Sequence, residues 1–266
     1  MHEPTPLVLV IGGHDPSGAG IQADIEACLA LGCHAASVVT TLTAQNTRAV
    51  QDLAPVDPAF ITAQAKAVLD DFRRFDACKV GLLGAVSAIE PLLSILERLP
   101  PGTPIIIDPV LAAGAGGELA TADVAEAILG RLVPHATLLT PNMNEGRRLT
   151  GAHERDEIAR RLGAAGARHV LLTGADEPTR IVHNYLYRDG ELATAYEWPR
   201  LPGRYHGSGC TLASSIAAYC AQGQELEHAV ASGQSYTWRT LARAIDVGGA
   251  QRIPGRRPGE TEHGHD

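Results

Sequence analysis

The chain has 266 residues, 45% of them hydrophobic, which is enough for the sizeable core of a folded globular protein. Its formal net charge of −8 argues against a nucleic-acid-binding protein, which needs clustered basic charge, so we expect small-molecule partners. Its five cysteines form no Cys-x-x-Cys pair and predict neither a disulfide framework nor a zinc knuckle, and the lack of a basic leader or an 18-residue apolar run predicts a cytoplasmic protein without membrane contact.

Short β-rich runs alternate with longer segments in which apolar residues recur every three or four positions. This alternation is typical of a parallel sheet that helices cover on both faces. We therefore predict an α/β fold of three layers, with a mostly parallel central sheet between two layers of helices. The predicted strands are 7–11, 37–42, 78–82, 104–108, 137–139 and 169–173, and the predicted helices between them are 21–31, 58–72, 88–99, 123–132 and 155–165.

The pattern changes after residue 173. Two β-rich segments, 181–188 and 191–198, flank Asp189-Gly190, a dipeptide that favours the tight turn of a β-hairpin. Two helical segments, 210–222 and 226–245, follow. We therefore predict an antiparallel hairpin and then two long helices.

The last segment, 248–266, is rich in Gly, Pro, Arg, Glu and His, a composition that favours disorder. No internal repeat, linker or low-complexity segment divides the rest of the chain. We therefore predict a single domain over 1–247 and a disordered tail after it.

Polar residues follow the predicted strands, and ligands of open α/β sheets bind at that edge. A glycine-rich loop, 12–20, follows the first strand but is neither a Walker A nor a Rossmann motif. It is interpreted either as a lid over a small polar ligand or as a simple connection. Gln45 lies in the polar segment 43–47 after the second strand, which suits the edge of a heteroaromatic ring or a polar turn.

Acidic residues follow two later strands. Asp108, before a second glycine-rich loop at 113–117, is interpreted either as a turn cap or as a ligand of a hard cation. Asn142 and Glu145 are three residues apart and so lie on one side of a starting helix. They fit either a capping box or the positioning of magnesium and phosphate.

The tetrapeptide Gly207-Ser208-Gly209-Cys210 leads directly into an apolar helical stretch. The free N–H groups and the positive end of a helix dipole favour a phosphate or a developing oxyanion, and glycines let the backbone approach the ligand. The same field is expected to lower the pKa of the Cys210 thiol. A plain turn with an N-cap has the same appearance.

These pieces lie on one predicted edge of the sheet: two glycine-rich loops, Asp108, the Asn142 and Glu145 pair, and a helix N-terminus. Together they predict magnesium-assisted phosphoryl transfer. The only lysines, Lys66 and Lys79, are both interpreted as ordinary surface or strand-end residues.

In its motifs, their order and their spacing, the chain resembles the hydroxymethylpyrimidine and phosphomethylpyrimidine kinases of thiamine biosynthesis, in the ribokinase superfamily. The resemblance extends over residues 8–244. The motifs that carry it are DPSGAGIQAD at 15–24, TLTAQNT at 41–47, KVGLLG at 79–84, DPV at 108–110, TPNMNE at 140–145 and HGSGCTL at 206–212.

The resemblance implies a ribokinase-like fold, a homodimer, and transfer of the ATP γ-phosphoryl group, with Mg²⁺, to the hydroxymethyl of 4-amino-5-hydroxymethyl-2-methylpyrimidine and then to the monophosphate. By position, Cys210 takes the place of the superfamily's aspartate base, beside the amides of Gly207, Ser208 and Gly209. The other implied site residues are Gln45, Asp24, Gly12 and Val110 for the pyrimidine, Asn142, Thr173 and Gly174 for the nucleotide, and Asp108 and Glu145 for the metal.

Three departures from the family pattern stand out. The first loop, at 15–20, has one glycine fewer than is common, and Gly174-Ala175-Asp176 replaces Gly-Gly-His. The loop after Asp-Pro-Val commonly contains Lys-Ser-Gly, where this chain has Gly114-Ala115-Gly116. Because the second transfer brings two charged phosphate groups together, the missing lysine predicts weaker or arginine-assisted activity on the monophosphate.

Three alternatives stay open. A pyridoxal or pyridoxine kinase would act on a similar hydroxymethyl heteroaromatic compound. A hydrolase or transferase would use Cys210 as nucleophile and His206 as base. A pyrimidine-binding protein descended from a kinase would bind without turnover.

Overall fold

The computed structural model describes residues 4–112 and 119–257. Within them, nine strands form a single sheet in the order β3-β2-β1-β4-β5-β6-β7-β8-β9. The strands are β1 (Leu7–His14), β2 (His34–Gln45), β3 (Val50–Pro55), β4 (Ala77–Val80), β5 (Ile105–Ile107), β6 (Leu138–Leu139), β7 (His169–Thr173), β8 (Ile181–Arg188) and β9 (Glu191–Pro199). The helices are α1 (Gly20–Ala30), α2 (Pro58–Asp71), α3 (Ile89–Glu97), α4 (Ala122–Ala127), α5 (Met143–Thr150), α6 (Arg155–Ala164), α7 (Ser208–Ala221) and α8 (Leu226–Ala242).

The six strands from β2 to β7 in the sheet order pair in parallel, which confirms the predicted parallel centre. Both flanks are antiparallel. The predicted hairpin of β8 and β9 turns at Asp189-Gly190 and pairs with β7. On the other flank, β3 pairs with β2, and the sequence analysis missed it. Four of the six β3 residues are exposed, so this edge strand has no apolar alternation to detect.

Alternate residues of the central strands face opposite sides of the sheet and build two apolar layers. In β1, Val8 and Val10 pack with residues of α1, α7 and α8, whereas Leu9 and Ile11 pack with residues of α2, α3, α4, α5 and α6. The predicted three-layer α/β/α arrangement is therefore confirmed. The predicted helix at 123–132 is α4 followed by a π-helical turn at Ile128–Leu132.

The predicted disordered tail is corrected where the structure describes it. Arg252 and Ile253 form isolated bridges with Tyr205 and Ile245, and Gln251 and Arg256 are buried. These residues are held mainly by backbone pairing and by polar side chains. Because such contacts leave no apolar pattern in the sequence, composition alone did not distinguish this segment from a disordered one. Residues 258–266 lie outside the described residues.

None of the helices described is both long enough and apolar enough to cross a membrane.

Candidate functional site

A cavity of about 780 Å³ opens at the carboxyl ends of β1, β4, β5 and β6. This is where ligands bind in open α/β sheets. Every predicted site residue except Gly174 lines it. The lining residues from that set are Gly12, Asp24, Gln45, Asp108, Val110, Asn142, Glu145, Thr173, Gly207, Ser208, Gly209 and Cys210.

The N-terminus of α7 forms one wall of the cavity. Gly207 precedes the helix in the left-handed region, with φ at 79°, and a Cβ there would lie 2.9 Å from Ala19 Cα. Only glycine therefore fits, and no side chain of Gly207 can cap the helix. A Cβ on Gly209 would lie 3.7 Å from Asp108 Oδ2, so the first turn of α7 faces that carboxylate. The amides of this turn have no side-chain cap from Gly207, and their binding of an anion stays a prediction.

Cys210 lies in this first turn, half-buried, but the prediction that its thiol pKa is lowered is wrong. Burial raises the pKa of Cys210 to about 12, and the carboxylates of Asp24 and Asp108 add to the rise. Lys79 and the N–H of Gly20 act in the opposite direction and do not outweigh the burial. Cys210 is therefore a neutral thiol, and it could accept a proton only after losing its own.

Lys79 lies at the floor of the cavity, completely buried. Its ammonium contacts both carboxylate oxygens of Asp24 at 2.9 Å, and Asp24 also accepts a hydrogen bond from Ser214 Oγ at 2.7 Å. Burial alone would lower the pKa of Lys79, but the negative charge of Asp24 and the nearby Cys210 and Asp108 raise it. Lys79 is therefore a fixed positive charge in the site, and its interpretation as an ordinary residue is wrong.

Asp24 lies where the resemblance implies a pyrimidine contact, but its carboxylate is already engaged. Lys79 and Ser214 use its oxygens, and the side chain is completely buried. This geometry ties α1, β4 and α7 together below the cavity. Asp24 therefore holds Lys79 in place, and a direct contact with the pyrimidine stays a prediction.

Asp108 and Glu145 form a buried acidic pair. Burial raises the pKa of Asp108 to about 6, although Lys79 opposes the rise. Burial and the charge of Asp108 raise the pKa of Glu145 to about 8. A buried carboxyl whose ionisation is disfavoured by a neighbouring carboxylate suits a bound cation, and Mg²⁺ takes one or two carboxylates together with phosphate oxygens. The described residues contain no group of three acidic, His or Cys side chains that could hold a metal, so the donor set fits Mg²⁺ only with oxygens from a nucleotide.

The capping-box interpretation of Asn142 and Glu145 is confirmed. Asn142 Oδ1 accepts from the Glu145 N–H at 2.8 Å, and Glu145 Oε2 accepts from the Asn142 N–H at 3.0 Å. Glu145 Oε1 also accepts from the Leu111 N–H at 3.3 Å, just after Asp108-Pro109-Val110. The cap therefore fixes Glu145 beside Asp108, while the roles of Asn142 and Glu145 toward nucleotide and metal stay predictions.

Asp108→Asn is expected to raise the melting temperature in metal-free buffer, more at pH 7.5 than at pH 5. Because the folded-state pKa lies above the ordinary value, the ionised carboxyl destabilises the fold, and this cost grows as the pH rises through about 6. Each unit of pKa shift is about 1.4 kcal/mol, or roughly 2–4 °C for a chain of this size. Calorimetry at the two pH values measures the difference. Asp71→Asn, at an exposed position, should give the same small change at both, and a pH-independent effect of Asp108→Asn would contradict the prediction.

A second polar network lies at the β7 and β8 end of the cavity, where nucleotide contacts were predicted. Gly174 N–H donates to Asn184 Oδ1 at 3.1 Å, and a Cβ at Gly174 would lie 2.5 Å from the His183 carbonyl oxygen. Asn184 Nδ2 and Trp198 Nε1 both donate to Gln234 Oε1, at 2.9 and 3.1 Å. Sequence reasoning missed Asn184, Gln234 and Trp198, because they come from three elements that only the fold brings together. Gly174 supports this network without lining the cavity.

Gln45 ends β2, half-buried at the cavity wall. Its neighbour Asn46 is a turn residue, because Asn46 Oδ1 accepts from the N–H groups of Arg48 and Ala49 at 2.8 and 3.1 Å. The polar-turn interpretation of this segment is therefore confirmed at Asn46. The turn positions Gln45, and its contact with a heteroaromatic ring stays a prediction.

His206, the base of the hydrolase alternative, is engaged elsewhere. Its Nε2 lies 2.8 Å from Asp15 Oδ2 and 2.9 Å from Ser17 Oγ, and its Nδ1 lies 3.2 Å from Gln251 Oε1. Nε2 thus holds the first glycine-rich loop, and Nδ1 is used by the segment that follows α8. This geometry argues against His206 as a base for Cys210. The second loop, 113–117, lies outside the described residues.

Residues 15–254 match the family model described as phosphomethylpyrimidine kinase. The chain is 37% identical to the hydroxymethylpyrimidine/phosphomethylpyrimidine kinase of Streptomyces coelicolor, over 92% of this chain and 91% of that protein. It is 38% identical to the chloroplastic thiamine biosynthetic bifunctional enzyme of Arabidopsis thaliana, over 91% of this chain but 48% of that enzyme. The chain thus spans about half the length of the bifunctional relatives it matches.

Solved structures agree with the predicted ribokinase-like fold. The ADP complex of Bacillus subtilis pyridoxal kinase superimposes with a TM-score of 0.85 at 27% identity, over 95% of this chain and 98% of that one. A phosphomethylpyrimidine kinase from Clostridium difficile superimposes with a TM-score of 0.76 at 29% identity, over 89% of this chain and all of that one.

Proposed function

The chain belongs to the phosphomethylpyrimidine kinase family, and from that premise we propose that it phosphorylates 4-amino-5-hydroxymethyl-2-methylpyrimidine, and then its monophosphate, in thiamine biosynthesis. One observation carries the proposal: the N-terminus of α7 faces the buried Asp108 in a cavity that Glu145 and Gln45 also line. That arrangement supports the proposal of an anion site, a cation site and a heterocycle contact within one cavity.

The proposed phosphoryl donor is ATP, and the proposed metal is Mg²⁺. Asp108 and Glu145 would hold the metal, which neutralises phosphate charge when bound. The α7 amides would stabilise charge on the transferred group, and Gln45 would orient the ring. Cys210 would accept the hydroxyl proton. It would do so only as its thiolate, after its own proton has left for solvent. Because phosphoryl transfer has a loose transition state, the hydroxyl proton need only be taken up late. A homodimer and a cytoplasmic location stay predictions.

A coupled assay of ADP release with Mg-ATP tests the proposal. The hydroxymethylpyrimidine, its monophosphate and pyridoxal are supplied separately to the same protein. Turnover on the pyrimidines is expected. Turnover on pyridoxal alone would establish the pyridoxal kinase alternative, which the similarity to the Bacillus subtilis enzyme keeps in view. No turnover on any of the three, with tight pyrimidine binding, would indicate the binding protein.

The monophosphate is expected to be the poorer substrate, by about tenfold in kcat/KM, because the chain has glycine where the family pattern has a lysine near the phosphates. Gly114→Lys should raise kcat/KM for the monophosphate selectively. Gly130→Lys, at a position with no neighbouring atoms within 4 Å of a Cβ, is the matched control. Equal efficiency on both substrates in the unmodified protein would refute this prediction.

A further inference from the structure

The segment 250–257, here called the C-terminal segment, lies beside the cavity, which its residue Gln251 lines. Its first residue donates from Ala250 N–H to Thr47 Oγ1 at 3.2 Å, in the loop after Gln45. Its middle pairs with the turn before α7, where His206 N–H donates to the Arg252 carbonyl at 2.9 Å. The Ile253 side chain lies against Gly18. One segment thus contacts all three loops that lead from β1, from β2 and into α7.

Arg256 is the charged residue of this segment that reaches the anion site. Its side chain is almost completely buried, at 1% exposure. Its Nε donates to Thr211 Oγ1 at 2.7 Å, and Nη2 donates to the Gly207 carbonyl at 3.4 Å. Nη1 contacts Glu26 Oε2 of α1 at 2.8 Å. Burying a guanidinium is costly unless it is paired, and here all three nitrogens are used.

The Gly207 carbonyl matters because of the peptide unit it belongs to. That unit is planar, and its other end is the Ser208 N–H at the start of α7. The same carbonyl accepts from Thr211 N–H at 3.0 Å and from Thr211 Oγ1 at 2.7 Å. Donors on the carbonyl fix the plane of the peptide and therefore the direction of the Ser208 N–H. They also polarise that N–H toward an anion.

We propose that Arg256 is a positioning residue for the anion site: it fixes the first peptide of α7, so that its amides are aimed before a phosphoryl group arrives. The proposal rests on the proposed function and adds a residue to it. Gln251 has a parallel task, because its amide oxygen faces His206 Nδ1, and the opposite ring nitrogen holds Asp15 of the first loop. Donors held in this way bind any anion at the start of α7 more tightly, inorganic phosphate included, and they contribute to the rate without contacting the pyrimidine.

Arg256→Gln in the full chain is expected to lower kcat about 10- to 100-fold and to change KM for the pyrimidine less than about threefold. Arg256→Lys keeps the positive charge but lacks the planar guanidinium group, so its kcat should lie between that of Arg256→Gln and that of the unmodified protein. Arg257→Gln, the exposed neighbour, is the matched control and should match the unmodified protein. Melting temperatures of all three, and their stabilisation by inorganic phosphate, are measured in parallel.

Thr211→Val removes the same Arg256–Thr211 contact from the helix side. When Thr211→Val is combined with Arg256→Gln, kcat should fall little further than in Arg256→Gln alone, because the two substitutions remove the same interaction. Unchanged kcat in Arg256→Gln would overturn the proposal. A fall in kcat that is fully explained by a loss of folded protein would also overturn it. The same holds if inorganic phosphate raises the melting temperature of Arg256→Gln as much as that of the unmodified chain. If the unmodified chain turns over none of the pyrimidines, the proposed function fails, while phosphate stabilisation still tests Arg256.

Discussion

Lys79→Met is expected to reduce kcat by at least about 10²- to 10³-fold, because the single buried lysine supplies fixed positive charge beside Cys210 and Asp108. The substitution keeps the length of the side chain and removes its charge. It also leaves Asp24 buried without its partner, which costs about 3–5 kcal/mol of stability. Steady-state kinetics with the hydroxymethylpyrimidine, together with melting temperatures, measure both effects.

A double variant separates charge from folding. Lys79→Met with Asp24→Asn removes both charges and preserves the shape of the pair, so stability should return while kcat stays low. Recovery of kcat with stability would mean that the pair is only structural. A rise in KM for the pyrimidine specific to Asp24→Asn would instead support the direct contact implied by the resemblance. Lys66→Met, at a side chain 71% exposed, is the matched control and should change neither.

Cys210→Ala is expected to lower kcat by about 10²-fold or more, the usual scale for losing a positioned proton acceptor. Cys210→Asp should retain part of the activity, since a carboxylate accepts the same proton. However, Asp108 faces this turn, and a second negative charge there should limit the recovery. Rates with saturating Mg-ATP and pyrimidine give the comparison.

Cys220→Ala is the control for that variant, because Cys220 is buried near the other end of α7 and does not line the cavity. It should lower the melting temperature and leave kcat unchanged. Unchanged turnover in Cys210→Ala would contradict the assignment of Cys210 as proton acceptor. In that case the α7 amides and Lys79 would remain as the groups that stabilise the transferred phosphoryl.

The place of a residue along the chain explains whether its role in the site could be predicted from the sequence. Asp108, Asn142 and Glu145 follow strand ends, and strand ends are visible as apolar runs that stop at polar residues. Lys79 lies inside a strand, so the expected location of functional residues excluded it, although a lysine within the apolar run Ala77–Val80 is itself a signal. Arg256 lies in a segment whose composition favours disorder, and no local pattern marks its burial.

The sequence was sufficient to predict the alternation of strands and helices, the three layers, the hairpin and the helix that follows Gly207, whose anion site stays a prediction. These follow from periodicity and turn chemistry, which act between residues close together in the chain. Tertiary contacts, by contrast, set the pKa of Cys210, the partner of Lys79 and the packing of the C-terminal segment. Those depend on burial and on charges from residues 24, 79, 108 and 256, which are distant in sequence and become neighbours only when the sheet and helices assemble.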